Sequence, residues 1–374
     1  ELRQKRDNLI PGNVIERVGP VNVYGKFLQW LRQTIGQDKV YPFAYDWRRD
    51  NRESCEMLIA KLEEVTKKHG KSPIVIGHSN GGVVSFMAIN KRPDLFHGAI
   101  FVGTPFGPGF GFMHDLHSFN QIGANKSILS AHVLMTHPCY QYFWGSGDPQ
   151  KDQKCFPLPG IGTCPQVKNI HDINEWKKHN LSVFSMERPS DFPAIDKKFE
   201  EHLRNMLKSG KAVRDQLVYN PEIEYPPIAV VASKSQKTKY TLRLGKKEEK
   251  NGSSSGRRRD PYPLTANTLD WDFIDGDNRV AFHLARPPIG VPVIDGGIIE
   301  TTMPHGELTN DLEAMRQAIV QVYMHRQQDD NKNKEPKPEL NDGKKVTTEI
   351  TSVKRGVPAQ FLVSANSSKR NMGD

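Results

Sequence analysis

The residues best suited to chemistry in this sequence are Gly77–Gly81, which read Gly-His-Ser-Asn-Gly. They follow the apolar run Ile74–Ile76, which predicts a buried strand, and precede an amphipathic helix expected over Gly82–Asn90. A serine on such a strand-to-helix turn has strained backbone angles and needs small neighbours. The turn exposes the Ser79 hydroxyl and points the N–H of Asn80 at the place where an oxyanion would form. The pattern favours a nucleophilic serine over a glycine-rich turn that contains a serine by chance.

A serine hydroxyl needs a base to take its proton, and the base needs an acid to hold its tautomer. In α/β-hydrolases these residues follow in the order serine, acid, histidine. Of the thirteen histidines, only His283, His305 and His325 come late enough in the chain. His283 precedes the last expected core strand, and His325 lies near the end of the last expected helix. His305 lies in a turn between a strand and a helix and is the predicted base.

The remaining histidines near the serine or in the following insertion are interpreted as structural. His78 lies inside the elbow and is expected to point away from the serine hydroxyl. The others precede any suitable acid and are expected to line or cap loops: His114, His117, His132 and His137.

The acid is expected in the segment 270–280, which is rich in aspartate and lies between the predicted strand Pro227–Ser233 and the base. Asp275 and Asp277 are the candidates, and spacing alone does not separate them. A calcium-binding loop is disfavoured because the glycine falls one place late and no glutamate closes the loop. A plain surface turn remains an alternative.

Strand and helix patterns alternate along the first hundred residues and again near the end of the chain, which predicts an α/β-hydrolase fold with a mostly parallel sheet. The expected strands are Lys39–Tyr45, Ile74–Ile76, Gly98–Gly103, Pro227–Ser233 and Gly297–Thr301. The expected helices are Val23–Gln37, Asn51–His69, Gly82–Asn90, Phe199–Met206 and Glu307–Arg326. Gly70 is expected to end the second helix in a left-handed conformation.

The chain divides into four expected regions. Residues 11–103 form the first part of the core, and residues 226–326 form the second part with acid and base. Residues 104–225, rich in Gly, Pro, His and aromatics, are predicted to be an inserted cap over the carboxyl end of the sheet. The polar residues 327–374 are expected to be mostly disordered, with a strand-like run at 346–353.

The aromatic residues of the predicted cap allow two interpretations. Phe106, Phe110, Phe112 and Trp144 could face an acyl chain bound above Ser79, or they could fill a small core within the cap. The sequence leaves both open.

Composition excludes some classes of function. The net charge of +9 includes the basic runs Lys246–Lys247 and Arg257–Arg259, but both lie in a polar, Gly/Ser-rich stretch without interleaved aromatics. We therefore expect a solvated loop and no nucleic-acid binding. No window has the roughly twenty uninterrupted apolar residues of a membrane span.

The four cysteines and the glycosylation-type sequons favour secretion only weakly. Cys139, Cys155 and Cys164 cluster in a loop-rich region, which predicts one disulfide, Cys139–Cys155 or Cys155–Cys164. Cys55 lies on a helical pattern and is expected to be a small core residue. The sequons occur at about the frequency that chance gives: Asn125, Asn180, Asn251 and Asn366.

Five segments of the chain resemble the lecithin:cholesterol acyltransferase family, which also contains a lysosomal acyltransferring phospholipase and the phospholipid:diacylglycerol acyltransferases. The segments are Tyr45–Arg48, Gly77–Gly82, Gly103–Gly107, Gly276–Val280 and His305–Leu308. The segment Gly276–Val280 is similar to the family's Gly-Asp-Gly-Thr-Val. The resemblance thus implies Asp277 as the acid and leaves Asp275 outside the motif. Asn278 stands where the family motif has a glycine.

The resemblance implies a lipid O-acyltransferase or phospholipase that acts on glycerolipid esters at a membrane or lipoprotein surface. Ser79 would carry the acyl group, His305 would act as base and then acid, Asp277 would orient His305, and the N–H of Asn80 would bind the oxyanion. No cofactor or metal is expected, and a lipid alcohol is an expected acceptor. A secreted or lumenal location, endomembrane or lysosomal, is implied. The alternatives are a plain lipase or esterase that uses only water, and a non-catalytic lipid-binding relative, which the presence of all three triad residues disfavours.

One element of the family fold is not evident. The resemblance places a strand upstream of Pro11 that carries the second oxyanion donor, yet residues 1–9 are mostly charged or polar. In the family's strand order, its absence would open the sheet between Lys39–Tyr45 and the strand before Ser79. We therefore expect an α/β-hydrolase fold that lacks its N-terminal strands, and a fragment of a longer chain that is inactive alone.

Overall fold

The computed structural model describes residues 11–19, 21–118, 129–158, 164–184, 195–246, 267–332 and 361–367. The α-helices are α1 (Gly25–Ile35), α2 (Asn51–His69), α3 (Asn80–Lys91), α4 (Met113–Ser118), α5 (Ala131–Met135), α6 (Pro149–Cys155), α7 (Ile173–Lys178), α8 (Lys197–Arg214) and α9 (Leu312–Lys332). The strands are β1 (Arg17–Val18), β2 (Val21–Asn22), β3 (Val40–Asp46), β4 (Ile74–His78), β5 (Gly98–Val102), β6 (Ile228–Ser233), β7 (Gln236–Lys246), β8 (Asn267–Gly276), β9 (Ile298–Thr301) and β10 (Phe361–Ser367).

Six parallel strands form the central sheet in the order β3-β10-β4-β5-β6-β9. Every residue of β4, β5 and β6 is buried, as is usual for parallel strands covered on both faces. Pro42 lies in β3 at the edge of the sheet, where a missing N–H is tolerated. The predicted α/β-hydrolase fold with a mostly parallel sheet is confirmed by this topology.

Helices cover both faces of the sheet because the strand side chains alternate between them. Ile76 and Ile100 pack on one side with α1 and α9, while Val75 and Phe101 pack on the other side with α2 and α3. Burying each such side chain stabilises the fold by about 1.5–3 kcal/mol. Gly98 allows α9 to approach β5 closely, because a Cβ at this position would overlap the side chain of Val322.

Helix α2 has the bounds that the sequence predicts. The carboxylate of Asp50 accepts a hydrogen bond from the N–H of Arg52 and so caps the first turn. The helix ends at Gly70, which is left-handed with φ 68°. Lys67, Lys68 and His69 occupy the last turn, where positive charge complements the helix dipole.

The end of the chain enters the middle of the sheet. Strand β10 pairs in parallel with both β3 and β4, with Phe361 opposite Val40 and Ile74. The expectation that the sheet is open between these strands is therefore wrong, and so is the expectation of a disordered tail for Phe361–Ser367. Helix α9 also continues to Lys332, six residues beyond its predicted end at Arg326. The predicted strand-like run at 346–353 lies outside the described residues.

The segment 270–276, expected to be an acidic turn, is part of a strand. β7 and β8 form an antiparallel hairpin in which Gln236 lies opposite Gly276. The carboxylates are tolerated in the strand because basic residues lie across from them: Lys237 pairs with Asp275, and Arg243 with Asp272. The turn begins only at Asp277. Most of the predicted mobile insertion at 246–260 lies outside the described residues.

The segment predicted to be a cap contains α4 to α8 and contacts the carboxyl edge of the sheet. Trp47, which follows β3 at this edge, has its ring against those of His137 and Tyr140 at centroid distances of 5.2 and 6.4 Å. Ser79 also follows the carboxyl end of its strand, so these cap residues and the serine share one edge of the sheet.

The four cap aromatics are buried against other aromatic rings. Phe106 contacts Phe86 and Phe101 edge-to-face. The other three pack within the cap, where the pairs are Phe110 with Trp144, Trp144 with Trp176, and Phe112 with Phe143. These contacts favour packing over the alternative in which the rings face an acyl chain.

All four cysteines are free thiols, so neither predicted disulfide forms. Cys139 and Cys164 are instead buried in the core, which raises the pKa of the Cys164 thiol to about 11. Cys55 is fully buried, as expected for a small core residue. No helix in the described part of the chain is long and apolar enough to cross a bilayer.

Candidate active site

Ser79 lies at a strained turn between β4 and α3. Its φ of 52° is one that costs a non-glycine residue about 1–3 kcal/mol. The Ser79 N–H donates to the carbonyl of Val102 at 2.9 Å, and the Gly82 N–H donates to the carbonyl of Ser79 at 3.0 Å. A Cβ on Gly77 would lie 2.6 Å from the Cα of Gly82, and one on Gly82 would overlap Thr104. The glycines therefore permit the turn that holds the serine above the sheet.

Three side chains that are far apart in the sequence form one chain of hydrogen bonds. The Oγ of Ser79 lies 2.9 Å from Nε2 of His305, and Nδ1 of His305 lies 2.8 Å from Oδ2 of Asp277. With Nδ1 donating to the carboxylate, Nε2 is left to accept the serine proton. The structure thus brings together the predicted nucleophile, base and acid in the arrangement that nucleophilic catalysis requires.

The surroundings of Asp277 keep this carboxylate ionised. Burial alone would raise its pKa, but the imidazole of His305 and the N–H groups of Val280 and Arg279 outweigh burial, and the pKa of Asp277 is lowered. These two N–H groups donate to Oδ1 at 2.7 and 2.9 Å. The other oxygen is thereby left for His305.

Asp275, the other candidate acid, points away from this network. Its carboxylate lies 2.7 Å from Nζ of Lys237 on the exposed face of the hairpin. Side chains in a strand alternate between faces, so Asp275 and Asp277 could share a face only if the strand continued. The strand ends at Gly276, and only Asp277 enters the buried turn.

The acid and base loops are also joined through the backbone. His305 begins a 3-10 helix, His305–Asn310, shortly after the carboxyl end of β9. Its N–H donates to the carbonyl of Asp277 at 2.9 Å. The two side chains are therefore held in register by a main-chain bond as well as by their own contact.

Asn278 adopts the conformation that the glycine of the family motif would favour. Its φ is 75°, in the left-handed region that asparagine tolerates better than most residues. Its N–H donates to Oγ1 of Thr238 on the hairpin at 2.9 Å. The departure from the family pattern therefore leaves the geometry of this turn intact.

Asn80 is the first residue of α3, where N–H groups have no partner within the helix. This position agrees with its expected role as an oxyanion donor. Its side chain is buried and forms two hydrogen bonds with the Asn51 amide, at 2.8 and 3.0 Å, and one to the Tyr45 hydroxyl at 3.0 Å. Asn51 and Tyr45 thus fix the start of the helix, a role that the sequence alone did not reveal.

His78 points away from the serine hydroxyl, as expected, and contacts the base from behind. Its Nε2 donates to the carbonyl of His305 at 2.9 Å, and its Nδ1 accepts from the Tyr24 hydroxyl at 2.6 Å. Burial lowers the pKa of His78 to about 3, so the ring is neutral at physiological pH. It supports the backbone of the base without competing for its proton.

The cap histidines contact groups other than Ser79. Nε2 of His117 accepts from the N–H of Ser182 at 3.0 Å, and His137 packs against Trp47. His132 is fully buried in the cap, and His114 lies beside Trp271 of the hairpin. These positions agree with the interpretation of these residues as structural.

The two other late histidines also lie in other surroundings. His283 is in a short 3-10 helix, with its ring beside Phe282, and His325 lies on α9. His305 is thus the late histidine that the structure places against Ser79.

Gly103 is a site residue that sequence reasoning did not single out for a role. Its φ is 52°, and a Cβ there would lie 3.1 Å from Oδ2 of Asp277 and 3.3 Å from Nδ1 of His305. The segment Gly103–Gly107 resembles the family pattern. Only the three-dimensional packing shows that its first glycine makes room for the acid and base.

A comparison with known families gives a match over about the first third of the chain. Residues 15–134 match the family model described as lecithin:cholesterol acyltransferase. The match confirms the resemblance over those residues. It includes Tyr45–Arg48 and the Ser79 elbow, and it ends before Asp277 and His305. The placement of these last two residues therefore rests on the geometry described above.

A relative along most of the chain is the uncharacterized protein YJR098C of Saccharomyces cerevisiae. It is 23% identical over 381 residues, which cover 86% of this chain and 54% of the yeast protein. The chain therefore spans about half the length of this curated relative.

Two solved structures were found to be similar, each with 13% sequence identity. One, titled as the crystal structure of the Tle4-Tli4 complex, has a TM-score of 0.48 and covers 75% of this chain and 67% of its own. The other is a 2-hydroxy-6-oxo-6-phenylhexa-2,4-dienoate hydrolase from Rhodococcus sp. strain RHA1. Its TM-score is 0.30, and the match covers 75% of this chain and 74% of that one.

Among the residues that the structure describes, no group of three or more His, Cys, Asp or Glu side chains is arranged to hold a metal ion. The α/β-hydrolase fold with this family's motifs is consistent with a lipid acyl hydrolase or transferase.

Proposed function

We propose that this protein transfers an acyl chain from a glycerolipid ester to Ser79, and from there to water or to a lipid alcohol. The observation that carries this proposal is the continuous chain from Ser79 through His305 to Asp277, with contacts of 2.9 and 2.8 Å. The resemblance to the lecithin:cholesterol acyltransferase family supports the substrate class. The chain spans only about half the length of its yeast relative, so the activity, substrate and acceptor are all proposals.

The first step forms the acyl-enzyme. Oγ of Ser79 attacks the ester carbonyl while Nε2 of His305 takes its proton, and the carbonyl oxygen becomes an oxyanion. The N–H of Asn80, at the positive end of α3, stabilises this charge. The tetrahedral intermediate then collapses, the ester C–O bond breaks, and His305 returns the proton to the departing lyso-lipid alcohol. Asp277 keeps its negative charge throughout and stabilises the imidazolium.

The second step releases the acyl chain. Water or a lipid hydroxyl approaches the acyl-enzyme, and His305 takes its proton as it attacks. The new tetrahedral intermediate expels Oγ of Ser79, which regains the proton from His305. Water gives a free fatty acid, and a lipid alcohol gives a new ester. The same residues therefore serve a phospholipase and an acyltransferase.

The setting of the reaction is also a proposal. A glycerolipid is held in a membrane or lipoprotein surface, so the protein would act at such a surface. The family resemblance favours a secreted or lumenal location. The net charge of +9 gives a weak attraction to anionic lipid surfaces.

The position of β10 changes one expectation about activity. The chain was expected to be inactive alone because the strand that carries the second oxyanion donor is not evident and because the sheet would be open beside the elbow strand. With β10 paired to β4 over Phe361–Ser364, the second of these reasons no longer applies. Since the sheet is closed and the three triad side chains are in contact, we expect the 374-residue chain to show ester cleavage with the N–H of Asn80 as an oxyanion donor.

The test is to replace Ser79 and to measure fatty acid release from a phosphatidylcholine vesicle. Ser79→Ala should lower turnover about a thousandfold or more, with the melting temperature unchanged because the hydroxyl has no structural bond to lose apart from that to His305. Ser85→Ala is the matched control, because this hydroxyl lies in α3, the helix that begins directly after Ser79, and donates to the carbonyl of Gly81 at 2.8 Å. Equal activity of Ser79→Ala and the wild type would remove Ser79 from the mechanism.

Product analysis separates the acyltransferase from a plain lipase. The same vesicles are supplied with a long-chain alcohol, and the products are resolved by chromatography. A new ester that grows with alcohol concentration at the expense of free fatty acid would support transfer. If free fatty acid is the sole product at every alcohol concentration, the protein is a plain lipase and the transfer reaction is excluded.

A further inference from the structure

An ion pair connects the loop of the acid to the cap. Arg279 lies two residues after Asp277, and its guanidinium binds both carboxylate oxygens of Asp115, with distances of 3.0 and 2.6 Å. Asp115 lies on α4 in the cap, and its side chain is only 5% exposed, whereas that of Arg279 is 30% exposed. A two-point contact of this kind fixes orientation as well as distance. One side chain thus joins the acid turn to a cap helix 164 residues away in the sequence.

The guanidinium is also held by aromatic packing. Its central carbon lies 4.7 Å from the ring centroid of Phe112, within the range of a cation–π contact. Phe112 in turn stacks on Phe143, so the ring cannot yield freely. The position of Arg279 is therefore set by the cap from two directions.

The ion pair adds to the contacts that hold the acid turn, in which one residue other than glycine has a left-handed conformation. Asn278 has a φ of 75°, and the turn follows the end of β8 directly. Asp277 receives the N–H groups of Arg279 and Val280, so any shift of these two residues moves the carboxylate that orients His305. A shift of about 1 Å in a catalytic group can cost a hundredfold in rate.

We propose that Arg279 and Asp115 are positioning residues: their ion pair holds the turn of Asp277 against cap helix α4 and keeps the local charge balanced beside the acid and base. This inference rests on the proposed function for its kinetic consequences. Both residues act through Asp277. Among the contacts of the described residues, neither side chain contacts Oγ of Ser79 or Nε2 of His305.

Charge balance gives the pair a distinctive signature. Without Asp115, the cation of Arg279 would lie unpaired near the acid and base and would disfavour protonation of the base. Without the guanidinium of Arg279, the buried carboxylate of Asp115 would be unpaired and would favour protonation of the base, His305. The two single variants should therefore have opposite effects on protonation of the base, because they leave unpaired charges of opposite sign.

Other charged or titratable groups face this region from each neighbouring element. They are His78 from the elbow, His114 from α4, Lys239 from β7 and Tyr140 from the cap. His78 stays neutral above pH 4 because burial lowers its pKa to about 3. Burial and the charge of Lys239 lower the pKa of His114, so this group can titrate and requires a control.

The experiment measures kcat/KM of the full chain for a soluble short-chain ester as a function of pH. The range is about pH 4.5 to 9, which includes the pH values at which histidine changes its charge. Asp115→Asn should move the acidic limb of the profile to lower pH, and Arg279→Met should move it to higher pH. The double variant should return the limb to within a few tenths of a pH unit of the wild type, while kcat stays at least about tenfold lower because the ion pair is gone. Arg279→Lys, which keeps the charge but not the two-point contact, should lower kcat without moving the limb.

Two sets of control variants alter charged or titratable residues close to the same acid turn. The exposed pair Lys237–Asp275 lies on the other side of Asp277, and Lys237→Met or Asp275→Asn should leave both the limb and kcat unchanged. His114→Asn, made in each background, shows whether His114 contributes to the limb. Shifts of Asp115→Asn and Arg279→Met in the same direction, or no shift in either, would overturn the proposal.

A second readout does not depend on turnover. The proton between Nδ1 of His305 and Asp277 gives a low-field NMR resonance, and its pH midpoint should follow the same opposite shifts. If the wild type cleaves no ester, the proposed function fails, and this resonance still tests the pair. If the wild type is active and the midpoints do not move, only the positioning role fails.

Discussion

The elbow of Ser79 and the turn of Asp277 hold catalytic groups by different means. The elbow is built from neighbours in sequence and from the sheet: β4, α3 and the strand β5 that accepts the N–H of Ser79. The acid turn depends on distant residues, because Thr238 of the hairpin holds Asn278 and Asp115 of the cap holds Arg279. Both contain a non-glycine residue at positive φ, Ser79 at 52° and Asn278 at 75°.

The difference shows where the site can be adjusted. The elbow is enclosed by buried strands and close backbone contacts, so substitutions of its glycines Gly77 and Gly82 should affect folding and catalysis together. The acid turn lies between the hairpin and the cap. A movement of either would displace Asp277, and therefore His305, without displacing Ser79. We expect the cap to influence the reaction mainly through the acid.

The sharpest comparison within the acid region is between its two carboxylates. Asp277→Asn should lower kcat by about 10³–10⁴, because an amide cannot stabilise the imidazolium and favours the wrong tautomer of His305. Asp275→Asn should stay within about twofold, since it removes only an exposed ion pair with Lys237. Steady-state kinetics on a short-chain ester provide the measurement. The reverse ranking would move the acid to Asp275 and remove the role assigned to the turn.

The claim that the elbow depends on its neighbours can be broken at β10. Val363 pairs with Pro42 of β3 and with Ile76 of β4, so Val363→Pro should disrupt the ladder in the middle of the sheet. We expect a loss of about 3 kcal/mol or more in the free energy of unfolding, measured by urea denaturation. Val363→Ala is the control that keeps the N–H. If both variants unfold at the same urea concentration, then β10 does not stabilise the elbow strand.

Gly103 lies where the two regions meet. Gly103→Ala would place a methyl group in overlap with Cδ1 of Leu308 and close to Asp277 and His305, and would force an alanine into φ 52°. We therefore expect about a hundredfold loss of kcat. Gly109→Ala is the matched control in the same loop, because a Cβ there meets nothing within 4 Å and its φ is −150°. Comparable kinetics for the two variants would show that the acid and base tolerate displacement.

The sequence predicted the elements whose signals are local. Helix α2 has the predicted bounds because Asp50 and Gly70 cap it, and the buried strands β4 and β5 are continuous apolar runs. The triad candidates could be ordered by chain position, and Asp277 was preferred only through the family resemblance. The structure places Asp277, not Asp275, against His305.

Features that depend on distant contacts could not be predicted in this way. β10 has no local signal that distinguishes a central strand from a tail, because its partners β3 and β4 lie about 300 residues earlier. The strand character of 270–276 was missed because its aspartates are balanced by Lys237 and Arg243 across the hairpin. The role of Gly103 depends on packing between three loops, which no spacing in the sequence records.

The smallest expected effect concerns Asn278, and it tests whether backbone conformation alone defines the acid turn. Asn278→Gly should change the free energy of unfolding by no more than about 0.5 kcal/mol, because glycine relieves the strain at φ 75° but has more conformational freedom in the unfolded chain. Asn278→Val should cost about 1–3 kcal/mol, because a β-branched side chain is strained there. Both variants retain the N–H that donates to Thr238.

Thermal unfolding and kcat together decide this point. If the turn is held by Thr238 and the Arg279–Asp115 pair, Asn278→Gly should keep kcat within about twofold, since the added freedom at one residue is opposed by contacts on both sides. A large fall in kcat for Asn278→Gly, without a loss of stability, would mean that the asparagine itself stiffens the turn. The external contacts would then be insufficient to fix Asp277, and the contrast between the elbow and the acid turn would be smaller than the hydrogen bonds indicate.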